Sequence, residues 1–181
     1  MTIAEAITIV EGFDPRADGL AAKSRELTLG MLQSSASPFS RSQFTPGHIT
    51  CTALVLHPHD STVLLMHHHR LRRWLLPGGH VEESDASLPG AAAREATEET
   101  CVHIDAAQAP FLAGIDVHGI PPKQDEPFHL HHDLIWCFRA VTEEIETTSE
   151  APAVLWSSFA DLERLGVAES IRNSMLRTDP C

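Results

Sequence analysis

Glu95, Glu98 and Glu99 are the residues whose types and spacing point most directly to chemistry in this 181-residue chain. They lie in Leu88–Thr100, a stretch that reads as a helix, at positions i, i+3 and i+4. Side chains so spaced project from one helix face about a turn apart. Like charges at that spacing destabilise an isolated helix by roughly 0.2–0.5 kcal/mol per pair, and here they also crowd its negative end. A cation removes both penalties. A hard ion such as Mg²⁺ takes oxygen ligands and shares them with substrate phosphates.

The segment just before this helix supplies a second half to the site. Pro77-Gly78-Gly79 ends a short strand, and its glycines permit φ > 0 and close backbone approach, so its carbonyls could complete a metal's coordination. On the other side of the helix, Ala91, Ala92, Ala93 and Ala96 allow tight packing against a scaffold. Arg94 could pair with Asp85 or a neighbouring glutamate and tie loop to helix.

Gly79 to Val102 resembles the Nudix box, in which Gly, five residues, Glu and seven residues lead into Arg-Glu-apolar-x-Glu-Glu-x-Gly-apolar. Gly79 matches the opening glycine, and Arg94, Glu95, Ala96, Glu98, Glu99 and Val102 match the closing half. Three positions depart from the pattern. Asp85 stands where the family prefers Glu, eight residues rather than seven separate Asp85 from Arg94, and Cys101 replaces the glycine after the helix. That last change suggests a different helix end, because a left-handed cap residue is expected there.

The resemblance implies an α/β fold of the Nudix type, an α/β/α sandwich around a mixed sheet. It also implies hydrolysis of a nucleoside diphosphate linked to another moiety, such as a nucleotide sugar, ADP-ribose or a nucleoside triphosphate. Glu95, Glu98 and Glu99 would be the metal ligands, helped by the Gly79 carbonyl, with Mg²⁺ as the ion and Mn²⁺ as a substitute. Glu98 is the choice for general base, with Glu95, Glu99 and Arg94 completing the catalytic group. The competing reading is a nucleotide-binding sensor on the same fold that does not cleave its ligand.

The elements that must position these groups can be read along the chain. Residues 1–45 read as an N-terminal helical extension: Asp18 is a plausible N-cap for a helix to Gln33, with Leu20, Leu27, Met31 and Leu32 able to share a face. Residues 46–181 read as the catalytic domain. Ile49–Leu56 and Thr62–Met66 are expected as a strand pair, Trp74–Gly79 as a short strand, and Phe111–Val117, Leu134–Val141 and Ala153–Trp156 as further strands. Leu162–Met175 reads as helical with a break at Gly166, and the interleaving argues for a mixed sheet with helices packed on it.

Composition narrows the partners. With 13 basic and 25 acidic residues the formal charge is −12, which disfavours a long nucleic acid. No apolar stretch approaches the ~20 residues that span a bilayer. The N-terminus lacks a basic leader and the four cysteines form no CxxC, so a cytoplasmic setting is expected. The N-terminal segment could mediate a homodimer. The one basic cluster, His67 to Arg73, offers Arg70 and Arg73 as phosphate contacts. Glu82 in the box is a further candidate for touching substrate.

Histidine is abundant, with twelve in the chain. His129, His131 and Asp133 alternate, so they share a strand face, and His118 could join them across a hairpin. Two His and one Asp suit either a transition-metal half-site or a wall lining the substrate, and His131 is the substrate-side candidate. Against both stands a plain polar strand edge. Trp74, Trp136 and Trp156 read as packing anchors in preference to base-stacking platforms.

Overall fold

The computed structural model describes residues 1–123 and 125–178. A seven-stranded mixed sheet runs β3-β2-β1-β6-β5, with β4 paired to β1 and β7 to β2. Its spine is β1 (Gly47–Leu56) against β6 (His129–Arg139), parallel and in register over ten residue pairs from Gly47↔Leu130 to Leu56↔Arg139. All other pairings are antiparallel: β2 (Val63–His68) with β1, β3 (Arg73–Leu75) and β7 (Ala153–Ser157), β4 (Gly78–His80) with β1, and β5 (Phe111–Ile120) with β6. Their β-branched and aliphatic content explains the burial of β1, β2 and β6.

Helices cover both faces. On one, α1 (Ile3–Gly12), α2 (Gly19–Ser34) and α3 (Leu88–Thr100) enclose a core of Ile49, Cys51, Ala53, Leu134, Trp136 and Phe138. On the other, α4 (Glu169–Met175) and the turn before it bury Leu54, Leu65, Ile135, Cys137, Leu162 and Met175. Gly166, at φ +72°, breaks the expected helix over Leu162–Met175: residues 162–166 form turns that follow a 3-10 turn at Phe159–Asp161, and only α4 is helical. No helix among the described residues is long and apolar enough to cross a membrane.

The first 45 residues pack into the same core as the sheet. Thr2 and Glu5 form a reciprocal capping box at the start of α1, a helix the sequence reading did not single out. Asp18 caps α2 as expected, accepting hydrogen bonds from the Leu20 and Ala21 N–H groups. The buried stripe of α2 differs from the expected one: Met31 and Leu32 are buried, but Leu20 and Leu27 are exposed, and Ala21, Ser24 and Thr28 face the sheet instead. The reason is polar. The Ser24 hydroxyl accepts from the Val117 N–H at 3.2 Å and Thr28 Oγ1 meets His132 Nδ1 at 3.1 Å, so side-chain hydrogen bonds select the face.

Candidate functional site

Of the two freedoms the glycine segment offers, positive φ and close backbone approach, the structure uses the second. Gly78 and Gly79 lie in a short strand, β4 (Gly78–His80), antiparallel to Thr50–Thr52 of β1, and neither has a positive φ. What excludes a side chain is crowding. A Cβ on Gly78 would lie 2.7 Å from the Cys51 carbonyl oxygen and the Thr52 Cα, and one on Gly79 would lie 2.6 Å from a Glu95 carboxylate oxygen. The strand is thus pressed between β1 and the glutamate helix.

That helix begins where Ser87 accepts a hydrogen bond from the Gly90 N–H at 3.1 Å, and Pro89 sits in its first turn, where proline costs no internal bond. Ala91, Ala92 and Ala96 are fully buried against the sheet, which leaves the carboxylates on the opposite side. At the far end, Cys101 is left-handed, φ 56° and ψ 16°. The expectation of a different helix end is therefore corrected: the left-handed cap is kept although cysteine carries a Cβ, because the chain must turn there to bring Val102 into the core.

The three glutamates fan out from this face. Glu99 is buried, and its Oε2 accepts the Gly78 N–H at 2.9 Å. Glu95 is half-buried beside Gly79, and Glu98 is exposed. Arg94 stitches the group together. Its guanidinium forms a two-pronged pair with Asp85, at 3.0 and 3.1 Å, and contacts Glu95 at 3.1 Å, Glu98 at 3.0 Å and the His80 carbonyl at 2.9 Å. The shorter Asp85 reaches Arg94 despite the extra spacer residue, and its other link, accepting the Glu82 N–H at 2.8 Å, closes the loop.

Charge within the cluster is out of balance. One guanidinium pairs with three carboxylates, Asp85, Glu95 and Glu98, and among the described residues the fourth, Glu99, has no cationic partner. Burial pushes the Glu99 carboxyl up to about 7, against the Gly78 hydrogen bond and with help from the charge of Glu95, Glu150 and Glu98. Burial also raises Glu95, opposed by Arg94. Asp85 is lowered by its hydrogen bonds from Arg94. An all-oxygen donor set with surplus negative charge, folded around a backbone strand, suits a hard divalent cation.

Beside it, on the sheet face that α4 covers only in part, lies a polar half-face. Thr50 and Thr52 of β1 donate hydroxyl hydrogen bonds of 2.8–3.0 Å to Asp133 of β6, which is buried and whose carboxyl is raised by desolvation. Next along the same strands, His48, His129 and His131 gather, joined by His80 from the end of β4. His118 of β5 stands opposite His131 but is turned to Asp116 at 2.9 Å. Desolvation pushes His80 down to about 4 and His131 down to about 2, and lowers His48, with the neighbouring rings adding to the effect.

The sequence candidates therefore divide. Glu95, Glu98, Glu99, Arg94, Gly79 and Glu82 come together in one loop-and-helix unit, and His131 adjoins it through His80. Arg70 and Arg73 do not join: both are exposed at the β2–β3 turn, which His68 Nδ1 closes by accepting the Arg70 and Leu71 N–H groups, and neither is hydrogen-bonded to the helix carboxylates. Sequence reasoning missed His48, His80, Thr50 and Thr52, four residues without a spacing pattern of their own. The tryptophans anchor packing as expected, Trp136 in the core, Trp74 against His67 and Trp156 against His57. A cavity of about 570 Å³ between α1 and the start of α3 shares no residue with the carboxylate cluster.

Comparison with known proteins agrees with this geometry. A family model described as the NUDIX domain matches residues 47–178. No curated protein sequence matches. Among solved structures, the NUDIX domain of Shewanella oneidensis NrtR, complexed with ADP ribose, is 19% identical, with a TM-score of 0.54 over 82% of this chain and 95% of that one. The MutT protein from Methanosarcina mazei Go1 is 24% identical, with a TM-score of 0.51 over 72% and 91%. The E. coli dihydroneopterin triphosphate pyrophosphohydrolase is 18% identical, with a TM-score of 0.51 over 72% and 93%. At these identities the likeness shows the mixed α/β fold.

Proposed function

The chain belongs to the Nudix family, and on that premise we propose that it hydrolyses a pyrophosphate bond in a nucleoside diphosphate linked to a further group. The observation that carries this is the trio Glu95, Glu98 and Glu99, gathered around Gly78–Gly79 with more carboxylate than Arg94 can neutralise. Glu95, Glu98 and Glu99, with the Gly79 carbonyl, would hold the divalent ion, Mg²⁺ or in its place Mn²⁺. When bound, the ion neutralises phosphate charge and acidifies a coordinated water.

Each residue then has a distinct task. Glu98, the exposed member, takes the proton from the attacking water as general base. Glu99 is fixed by the Gly78 N–H, and Glu95 is wedged against Gly79, so both hold position before substrate arrives. Arg94 orients Glu95 and Glu98 while Asp85 and the His80 carbonyl hold it from behind; it is a positioning residue. Glu82 and His131 border the cleft from the loop and the sheet, and Arg70 and Arg73 would have to meet phosphate from the β2–β3 turn. Residues 46–181 form the catalytic domain, to which residues 1–45 add two helices over the sheet.

The substrate class is open among nucleotide sugars, ADP-ribose, dinucleoside polyphosphates and nucleoside triphosphates. One of the similar structures holds ADP-ribose, which makes it the first compound to try. The test is a hydrolysis panel with Mg²⁺ and Mn²⁺, run on wild type and Glu98→Gln. Turnover that falls by roughly 10²–10⁴ in the variant is expected for loss of a general base. Tight binding with no turnover by the wild type would favour a nucleotide sensor instead.

A further inference from the structure

We propose a second metal site, distinct from the carboxylate cluster, in which His48, His80 and His131 bind a transition ion of the zinc class. One nitrogen from each imidazole lies within 4.8 Å of the others, although the three rings come from three strands. Tetrahedral zinc with Zn–N bonds of about 2.0–2.1 Å separates its ligands by about 3.3 Å, so a modest side-chain rotation of each ring closes the site.

A second, independent observation is the state of His48. The residue is only 1% exposed, its Nδ1 faces the Gln43 carbonyl at 3.1 Å, and its Nε2 is buried with no hydrogen-bond partner. The carbonyl places the proton on Nδ1, which leaves Nε2 as a bare lone pair beside the His80 and His131 rings, at centroid distances of 5.1 and 4.8 Å. A metal-ligating histidine commonly shows this same pattern, with one ring nitrogen on a carbonyl and the other on the ion. His129 stands one step away, its Nδ1 on the Pro127 carbonyl at 2.8 Å and its ring stacked on His48.

The donor set decides the class of ion. Three imidazoles suit zinc, nickel or cobalt, whereas magnesium prefers oxygen. His118 stands outside the set because Asp116 holds it. The parallel register of β1 and β6 pairs His48 directly with His131, and the β1–β4 pairing places His80 opposite Thr50, two residues further on. An ion here would clasp the end of β4 to the sheet within one residue of Gly79.

The test is direct binding, so its failure would not be confused with failure of the hydrolase reading. Full-length protein is stripped with a chelator and titrated with Zn²⁺ against a chromophoric competitor in excess Mg²⁺, then loaded with Co²⁺ for visible spectroscopy. Wild type should take up one equivalent and give the intense bands of tetrahedral cobalt. His131→Asn and His80→Asn, both at half-buried positions, should each weaken Zn²⁺ at least tenfold and abolish those bands, and Glu98→Gln should leave them. Circular dichroism verifies that each variant is folded. Zn²⁺ binding that survives both histidine changes, vanishes in Glu98→Gln, or does not occur in wild type overturns the proposal.

Discussion

Replacing Glu99 by Gln isolates the energetic claim on which the carboxylate cluster rests. The buried carboxyl titrates near 7 in the folded chain and at an ordinary 4.5 when unfolded. Between those values the folded state holds a proton that the unfolded state has released, so stability falls as pH rises through that window, and the loss is complete above pH 7. Two and a half units correspond to about 3.4 kcal/mol at about 1.36 kcal/mol each. Burial is the main cause of that shift, and relaxation and water penetration around the buried carboxylate soften its penalty, which brings the working figure to roughly 1–2 kcal/mol. Glutamine keeps an oxygen to accept the Gly78 N–H and removes the charge. In EDTA at pH 8 the variant should therefore melt about 2–8 °C higher than wild type, a gap that closes by pH 4.5. With saturating Mg²⁺ the order should reverse, because only wild type gains full binding stabilisation. Thermal melts at pH 4.5, 6 and 8, with and without Mg²⁺, check this. A variant no more stable than wild type in EDTA at pH 8, or one whose gain is the same at every pH, refutes the reasoning.

Other predictions draw on neighbouring features. Gly78→Ala puts a methyl into the Cys51 and Thr52 backbone and should cost roughly 1–3 kcal/mol in urea denaturation, whereas Gly79→Ala meets only the carboxylate end of Glu95 and should spare stability while weakening Mg²⁺ in calorimetric titration. Cys101→Gly relieves a left-handed cysteine and should stabilise by about 0.5–1 kcal/mol, measured as a rise in urea midpoint without a change in slope. Acid should act through the buried histidines. His132 is pushed down to about 4 by burial, so the unfolded chain takes its proton first as pH falls below 6.5, and stability drops by about 2 kcal/mol by pH 5. His132→Gln should remove that share of the pH dependence; an unchanged profile from pH 7.5 to 5 would count against it.

What the sequence made legible was local. A helix announces its ligand face through i, i+3 and i+4 spacing, and Leu88–Thr100 was bounded correctly because its alanines and its glutamates follow that one period. The strands could be found from their aliphatic runs. At Gly78–Gly79 both positive φ and close approach were open, since sequence shows that a side chain is missing but does not say whether φ or crowding forbids it; crowding is the answer. The buried face of α2 was misjudged for a related reason: a hydrophobic stripe cannot register that Ser24 and Thr28 will find partners on β5 and β6.

The histidine cluster was half legible, and the missing half is topological. Alternation along β6 put His129, His131 and Asp133 on one face without any knowledge of the fold. His48 and His80 reach that face only because β1 pairs parallel to β6 and β4 antiparallel to β1, relations between segments about 30 to 80 residues apart that no local period encodes. The pairing register also governs what the cluster is. A one-residue slip of β1 against β6 would turn His48 and Thr50 into the apolar core and bring Ile49 and Cys51 out beside His131. The fit of Ile49, Cys51 and Ala53 to the α3 side, where all three are fully buried, forbids that slip. The hydrophobic core thus holds the imidazoles together, and the polar half-face is a consequence of how the apolar half packs.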